Sequence, residues 1–186
     1  WKGTLEGENW ESLNDYMQIL GISFLRIVNT DFGQRLLIGS ENDGFYYTDN
    51  EGLTLNKANG LSNNYVKRFI MQNDTNDIYA LVNSSPKAVY RSIDLGENFE
   101  PFIILNSNQG IPSEPIGHFD IFTTRYEEND IYLINDTNFY KLNSDGLILI
   151  SQLPGLYSDN VLLTGGQSLN STFFYAYING QIFKSI

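Results

Sequence analysis

Apolar residues in this chain fall in short β-branched and aromatic runs, each closed by a cluster of Asn, Asp, Gly or Ser. Runs of this length and composition predict strands. No window of helical length carries an apolar period of about 3.6 residues. The predicted strands come in groups of four. The first group is Ile22–Val28, Arg35–Ser40, Phe45–Asp49 and Leu53–Ala58. The second is Tyr65–Met71, Asp77–Asn83, Ala88–Ile93 and Asn98–Ile103, and the third His118–Thr124, Asp130–Asn135, Asn138–Leu142 and Leu147–Gln152. A last group has Asn160–Thr164, Thr172–Ile178 and Gln181–Ile186. In Asp77-Ile78-Tyr79-Ala80-Leu81-Val82 both strand faces carry apolar groups, as in a strand covered on both sides.

A repeat accompanies this grouping. Ser92-Ile93-Asp94-Leu95-Gly96-Glu97-Asn98-Phe99 returns as Thr48-Asp49-Asn50-Glu51-Gly52-Leu53-Thr54-Leu55 and, more faintly, as Ser144-Asp145-Gly146-Leu147. The first ten residues end in Gly7-Glu8-Asn9-Trp10, a near copy of Gly96-Glu97-Asn98-Phe99. The glycines at 7, 52, 96 and 146 are separated by 45, 44 and 50 residues. A period of about 45 residues holding four strands is that of a β-propeller blade. The predicted fold is therefore all-β, with about four blades of four antiparallel strands. The units run over about 15–58, 59–105, 106–152 and 153–186, and 1–14 is the end of a preceding or closing blade. Two arrangements are open. Gly7–Asn14 supplies the last strand of a four-bladed ring, or the chain is part of a ring of about six to eight blades. The second is the expectation, because both ends fall within the repeat.

The repeat residues suit a turn between third and fourth strands. Asp94, or Asn50, accepts hydrogen bonds from turn amides that otherwise lack partners. Thr48 and Ser92 flank these turns. Gly52, Gly96 and Gly146 tolerate a positive φ, and Phe99 is placed to enter the layer between sheets. Ser144 is a weaker stand-in for the acid, and Leu5 cannot replace it. The expectation is a structural clasp and not catalysis.

Ser92–Phe99 resembles an Asp-box, or BNR repeat. Such repeats occur in sialidases, xyloglucan-degrading glycoside hydrolases, sortilin-like receptors and propeller-type photosystem II assembly factors. The resemblance implies the propeller and leaves activity open. Gly60-Leu61-Ser62-Asn63-Asn64-Tyr65-Val66, Gly155-Leu156-Tyr157-Ser158-Asp159-Asn160-Val161 and Leu36-Leu37-Ile38-Gly39-Ser40 also resemble propeller repeats of periplasmic sensors in hybrid two-component systems. There, Leu37 and Tyr79 stand where that pattern carries tryptophan.

Composition narrows the partners. With 11 Lys and Arg against 22 Asp and Glu, the net charge is −11 and the isoelectric point about 4.3. A nucleic-acid partner is excluded, since phosphate neutralisation needs clustered Lys and Arg. Lys67-Arg68 is the one adjacent basic pair, expected at a solvated strand edge. No cysteine is present, which rules out disulfides and thiolate metal sites. No membrane-length span occurs in the sequence. Abundant Asn, Tyr and Ser with few Lys matches secreted bacterial proteins, so an extracytoplasmic location is expected.

Ligands of propellers meet the face built by second-to-third and fourth-to-first strand loops, opposite the repeat turns. Candidate binding residues there are Glu41, Asp43, Tyr65 and Glu114, the last in the long loop Asn106–Gly117. His118, the single histidine, and Asp120 are predicted to share a strand face towards the channel. Without a second histidine or a recognisable nucleophile, no metal, cofactor or catalytic residue is expected. Sialidase activity is disfavoured: Arg26, Arg35, Arg68, Arg91 and Arg125 do not form a repeated cluster. Glycoside hydrolysis requires two carboxylates at a set separation. The expected role is a scaffold that binds a protein, peptide or glycan. The alternatives are part of a xyloglucanase-type hydrolase, or a periplasmic sensor domain.

Overall fold

The computed structural model describes residues 2–3, 7, 9–11, 21–61, 65–72, 75–84, 86–105, 119–124, 130–135, 137–154, 161–168 and 171–185. The elements among them are strands: β1 (Lys2–Gly3), β2 (Trp10–Glu11), β3 (Ile22–Thr30), β4 (Gly33–Ser40), β5 (Gly44–Thr48) and β6 (Asn56–Lys57). They continue as β7 (Val66–Met71), β8 (Ile78–Val82), β9 (Ala88–Ser92), β10 (Glu100–Ile104), β11 (Phe119–Thr123) and β12 (Ile131–Asn135). The last are β13 (Asn138–Asn143), β14 (Gly146–Gln152), β15 (Val161–Ser168), β16 (Ser171–Ile178) and β17 (Gln181–Lys184).

Each sheet is an antiparallel meander in chain order. Blade 1 is β3–β6, blade 2 β7–β10, blade 3 β11–β14, and blade 4 has the three described strands β15–β17. The innermost strands β3, β7, β11 and β15 touch in succession, so the blades stand side by side as in a propeller. The grouping by four read from the sequence is the observed one. One departure is β6, which spans only Asn56–Lys57 where Leu53–Ala58 was predicted, because Thr54 is consumed by the preceding turn.

Alternation along the strands gives every blade two working faces. Leu37, Phe45 and Val28 of blade 1 meet Phe69, Ile78, Ala80 and Val82 of blade 2. On the other face of blade 2, Tyr79, Leu81 and Val89 meet Phe119, Ile121, Ile131 and Leu133 of blade 3. Ile134 and Phe139 of blade 3 then meet Val161, Leu163, Ala176 and Ile178 of blade 4. A fully buried Leu, Ile or Phe stabilises the fold by about 1.5–3 kcal/mol, and these seams hold most of them.

The third-to-fourth strand turns account for the repeat. Ser92 Oγ donates to Asp94 Oδ1 at 2.7 Å and accepts from the Gly96 amide at 2.9 Å. The same carboxylate accepts from the amides of Glu97 and Asn98, at 3.1 and 3.0 Å, and from Asn98 Nδ2 at 2.7 Å. Blade 1 repeats the arrangement: Thr48 Oγ1 accepts from Gly52 N at 3.0 Å, and Asn50 Oδ1 accepts from Thr54 N at 2.9 Å. Leu95 and Gly96 have φ of 56° and 92°, Glu51 and Gly52 of 58° and 90°. Gly96 is required twice over, since a Cβ there would stand 2.9 Å from Phe45 Cε1.

In blade 3 the expectation for Ser144 fails. Asn143 Oδ1 accepts from the amides of Asp145 and Gly146 at 2.9 and 3.0 Å, while Ser144 reaches only the Asp145 carboxylate. The turn is a tight hairpin, and Gly146 (φ 135°) opens β14 directly. In the amino-terminal segment β2 pairs with β1, in the register Lys2↔Glu11 and Gly3↔Trp10.

Candidate functional site

The face opposite the repeat turns carries the β4–β5 turn, the approach to β7 and the β8–β9 loop. Ser40 Oγ accepts from the amides of Asn42 and Asp43 at 3.3 and 3.2 Å, which fixes the β4–β5 turn. The Glu41 amide donates to Gly21 O at 2.7 Å, tying the turn to the start of β3. Glu41 itself is exposed. In the next blade Tyr65 is held by its backbone. Its amide donates to Ser84 Oγ at 2.7 Å, and its carbonyl accepts from Asn83 N at 2.8 Å. Burial, with the charge of Glu41 adding to it, raises the Tyr65 phenol above its ordinary pKa. Glu41, in the β4–β5 turn of blade 1, and Tyr65, just before β7 of blade 2, therefore lie on the same face of adjacent blades.

Asp43 is engaged within its own blade. Its Oδ1 meets Lys57 Nζ at 2.5 Å, and Tyr46 OH donates to Oδ2. These bonds, that of Lys57 foremost, hold its carboxyl below the ordinary carboxylate range.

Asp120 lies deeper, on the innermost strand of blade 3, with 1% of its surface exposed. Its Oδ2 accepts from Arg68 Nη1 at 2.8 Å and from the Leu163 amide at 2.6 Å. Arg68 Nη1 also donates to Leu163 O at 3.1 Å. One carboxylate therefore stitches blades 2, 3 and 4 together near the axis. Burial raises its pKa, and Arg68 and the Leu163 amide offset only part of that. This corrects the picture of an open His–Asp pair lining the channel: Asp120 is a sealed inter-blade tie. The basic pair is likewise not at a solvated edge. Lys67 Nζ donates to Phe119 O at 2.5 Å, and burial lowers its pKa. Arg68 Nε is buried without a partner among the described residues.

Glu114 and His118, with the loop Asn106–Gly117, lie outside the described residues. Among the described residues no group of three or more His, Asp or Glu is placed to hold a metal, and no helix is long and apolar enough to cross a membrane.

Sequence reasoning missed Arg35. It is buried beneath the repeat turns, donating from Nε to Asp49 Oδ1 at 2.6 Å, from Nη2 to Glu97 Oε1 at 3.0 Å and from Nη1 to Leu95 O at 3.1 Å. It clamps the blade 2 turn onto blade 1. Its position at the head of a second strand was visible in the sequence; its partner some 60 residues on was not.

Three comparisons bear on this arrangement. No protein-family model matches the chain, and no curated protein matches it. Among solved structures, the GH74 xyloglucanase from Xanthomonas campestris aligns with a TM-score of 0.57 at 16% identity. The likeness is one of fold. The alignment takes in 81% of this chain and 21% of that one, so the chain spans about a fifth of the xyloglucanase's length. It supports the propeller assignment independently of the repeat.

Proposed function

We infer that this chain is an Asp-box propeller serving as an extracytoplasmic binding scaffold for a protein, peptide or glycan. The observation that carries the reading is that Glu41 and Tyr65 share the loop face of adjacent blades, the first exposed and the second anchored through its backbone to Ser84 and Asn83. An aromatic and an acceptor on one face offer stacking and a directional hydrogen bond to a ligand that spans both. The serine, acid and glycine bonds of the Ser92–Phe99 turn support the Asp-box assignment. Composition supports the location outside the cytoplasm.

One structural neighbour is a xyloglucanase, and hydrolysis of a glycan would need two available carboxylates. Asp43 and Asp120 are each locked in an ion pair, leaving Glu41 without a partner acid in that role among the described residues of this face. Binding without hydrolysis is the better account. A glycan and peptide array probed with the chain, followed by titration of hits against Tyr65→Ala and Glu41→Gln, tests it. Ligands whose affinity falls in both variants uphold the site. Hits indifferent to both variants, or turnover of a bound glycan, reject it.

A further inference from the structure

The innermost strands of blades 1 and 2 each carry an extra residue at the loop-face end. The register shifts between Ile22 and Phe24 in β3 and between Val66 and Arg68 in β7, which leaves Ser23 and Lys67 without cross-strand partners. A bulge of this kind re-aims its side chain. Both residues bond a carbonyl of the next blade. Ser23 Oγ donates to Val66 O, and Lys67 Nζ donates to Phe119 O at 2.5 Å. Val66 and Phe119 are equivalent, each being the first residue of its strand. Blade 1 therefore makes the tie with a neutral hydroxyl, where blade 2 supplies an ammonium.

That ammonium offers more than the tie uses. The Phe119 carbonyl takes one of its N–H donors, and no other acceptor reaches it among the described residues. Arg68 beside it spends Nη1 on Asp120 and Leu163 O, while its buried Nε has no acceptor among those residues. Asp120 is thus matched by Arg68, and Lys67 is the surplus cation. Burial lowers the Lys67 pKa, Asp120 offsets only part of that, and Arg68 adds to it. A third base approaches from the β8–β9 loop, with Lys87 Nζ 5.4 Å from the centroid of the Phe119 ring. In a chain of net charge −11, three of the 11 Lys and Arg residues gather around Phe119 and Asp120. This end of the seam between blades 2 and 3 is a local seat for an anion.

Its neighbours narrow the ligand. Tyr65 precedes Lys67 by two positions, about 7 Å along an extended chain. Glu41 belongs to blade 1 and Lys67 reaches to blade 3, so an acceptor and a cation lie on opposite sides of Tyr65. Taking the loop face as the ligand site, we propose that it binds a glycan containing uronic acid, the sugar carboxylate being received by Lys67 and Lys87 beside Phe119. The sugar ring lies on Tyr65, and its hydroxyls donate to Glu41. In a uronate the carboxylate is attached to the ring itself, so one residue spans aromatic and ammonium. A glutamate side chain brings the charge without the ring, which makes an acidic peptide the poorer fit.

Calorimetric titration of the chain with oligogalacturonate, its methyl ester and oligoglutamate tests this, with circular dichroism confirming that each variant is folded. Oligogalacturonate is expected to bind, and the ester, which keeps the rings and loses the charge, to bind about tenfold or more weakly. Oligoglutamate is expected to bind less well than the acid sugar. Lys67→Gln and Lys87→Gln each bring the acid towards the affinity of the ester and leave the ester unchanged. An ester as tight as the acid overturns the proposal and leaves the face a site for neutral glycans. Oligoglutamate as tight as the acid sugar overturns it in favour of an acidic peptide. Equal losses for acid and ester in Lys67→Gln overturn it too, since the lysine would then act only as the inter-blade tie. Binding of none of the three overturns it, and the effect of Tyr65→Ala on array hits then decides separately whether the face binds anything. An unfolded Lys67→Gln leaves the comparison of acid with ester, which needs no variant, to decide.

Discussion

Phe99 rests on Phe45 with ring centroids 4.8 Å apart, so the turn that defines the repeat ends inside the seam between blades 1 and 2. The motif is thereby a joint between sheets as well as a turn within one. Arg35 closes the same joint from blade 1 by donating to Leu95 O and Glu97 Oε1. Three chemical demands meet within eight residues: an acid for the orphan amides, a glycine for φ and for closeness to Phe45, and an aromatic for the seam.

The acid is the first of these to test. Asp94→Ala leaves the amides of Glu97 and Asn98 without their acceptor, and the expected loss is about 1–3 kcal/mol. Asp94→Asn keeps one acceptor oxygen, as Asn50 does in blade 1, and is expected to cost less than half as much. Urea unfolding of both variants measures the order. Equal losses would mean that the carboxylate's charge, and not its acceptor geometry, stabilises the turn.

Gly60 carries a second prediction. It has φ of 85°, and a Cβ there would stand 2.0 Å from Phe99 O. The backbone behind it is fixed by Asn59 N donating to Glu97 O at 2.9 Å and Phe99 N donating to Asn59 O at 3.0 Å. Gly60→Ala is expected to lower stability by at least about 2 kcal/mol, through strain and loss of this lacing. The thermal midpoint of the variant checks it; a wild-type midpoint would show that the two segments separate freely.

What the sequence revealed and what it hid divide along contact range. Strands such as Ala88–Ser92 and the bonds of Asp94 depend on residues a few positions apart, and the pattern exposed them. Glu41 and Tyr65 could be put on one face because strand alternation assigns loops to ends. The ties Arg35–Glu97 and Arg68–Asp120 span 62 and 52 residues, and a single sequence carries no mark of such partners. Asp120 was read as a channel residue for the same reason: its seal comes from two other blades. Asn143 was overlooked because the fixed spacing of the motif pointed to Ser144, whereas a shorter hairpin moves the acceptor one residue earlier.

Acid titration should separate Asp94 from Asp120. Burial raises the Asp94 carboxyl, but bonds from the Asn98 side chain and amide, Ser92 and Glu97 outweigh it, so its folded pKa lies below the ordinary 3.8. Its stabilisation is present above 3.8 and is lost as pH falls through the lower folded value. For Asp120, burial outweighs Arg68, and the folded pKa lies above 3.8. Its contribution is full below 3.8 and is lost as pH rises through the raised value. The stability gap between wild type and Asp94→Asn should therefore shrink on acidification. Relative to Asp120→Asn, wild type should gain over the same range. Unfolding curves at intervals from neutral pH down to about pH 3 measure both slopes, and slopes of the same sign would contradict the assignment.

The two ends of the blades should also separate by what they affect. Tyr65 is anchored through its backbone to Ser84 and Asn83, so truncating its ring leaves those bonds in place. Asp94 sits in the turn at the far end of the same blade and touches nothing on the loop face. Tyr65→Ala is expected to weaken a bound glycan or peptide about tenfold or more, by removing its stacking partner, while moving the thermal midpoint little. Asp94→Ala is expected to lower the midpoint and leave affinity unchanged wherever the protein is still folded. Calorimetric titration and thermal melts on the same two preparations give the four values needed. If Asp94→Ala changed affinity in the folded protein, the repeat turn would be part of the binding surface, and the assignment of the two ends would have to be exchanged.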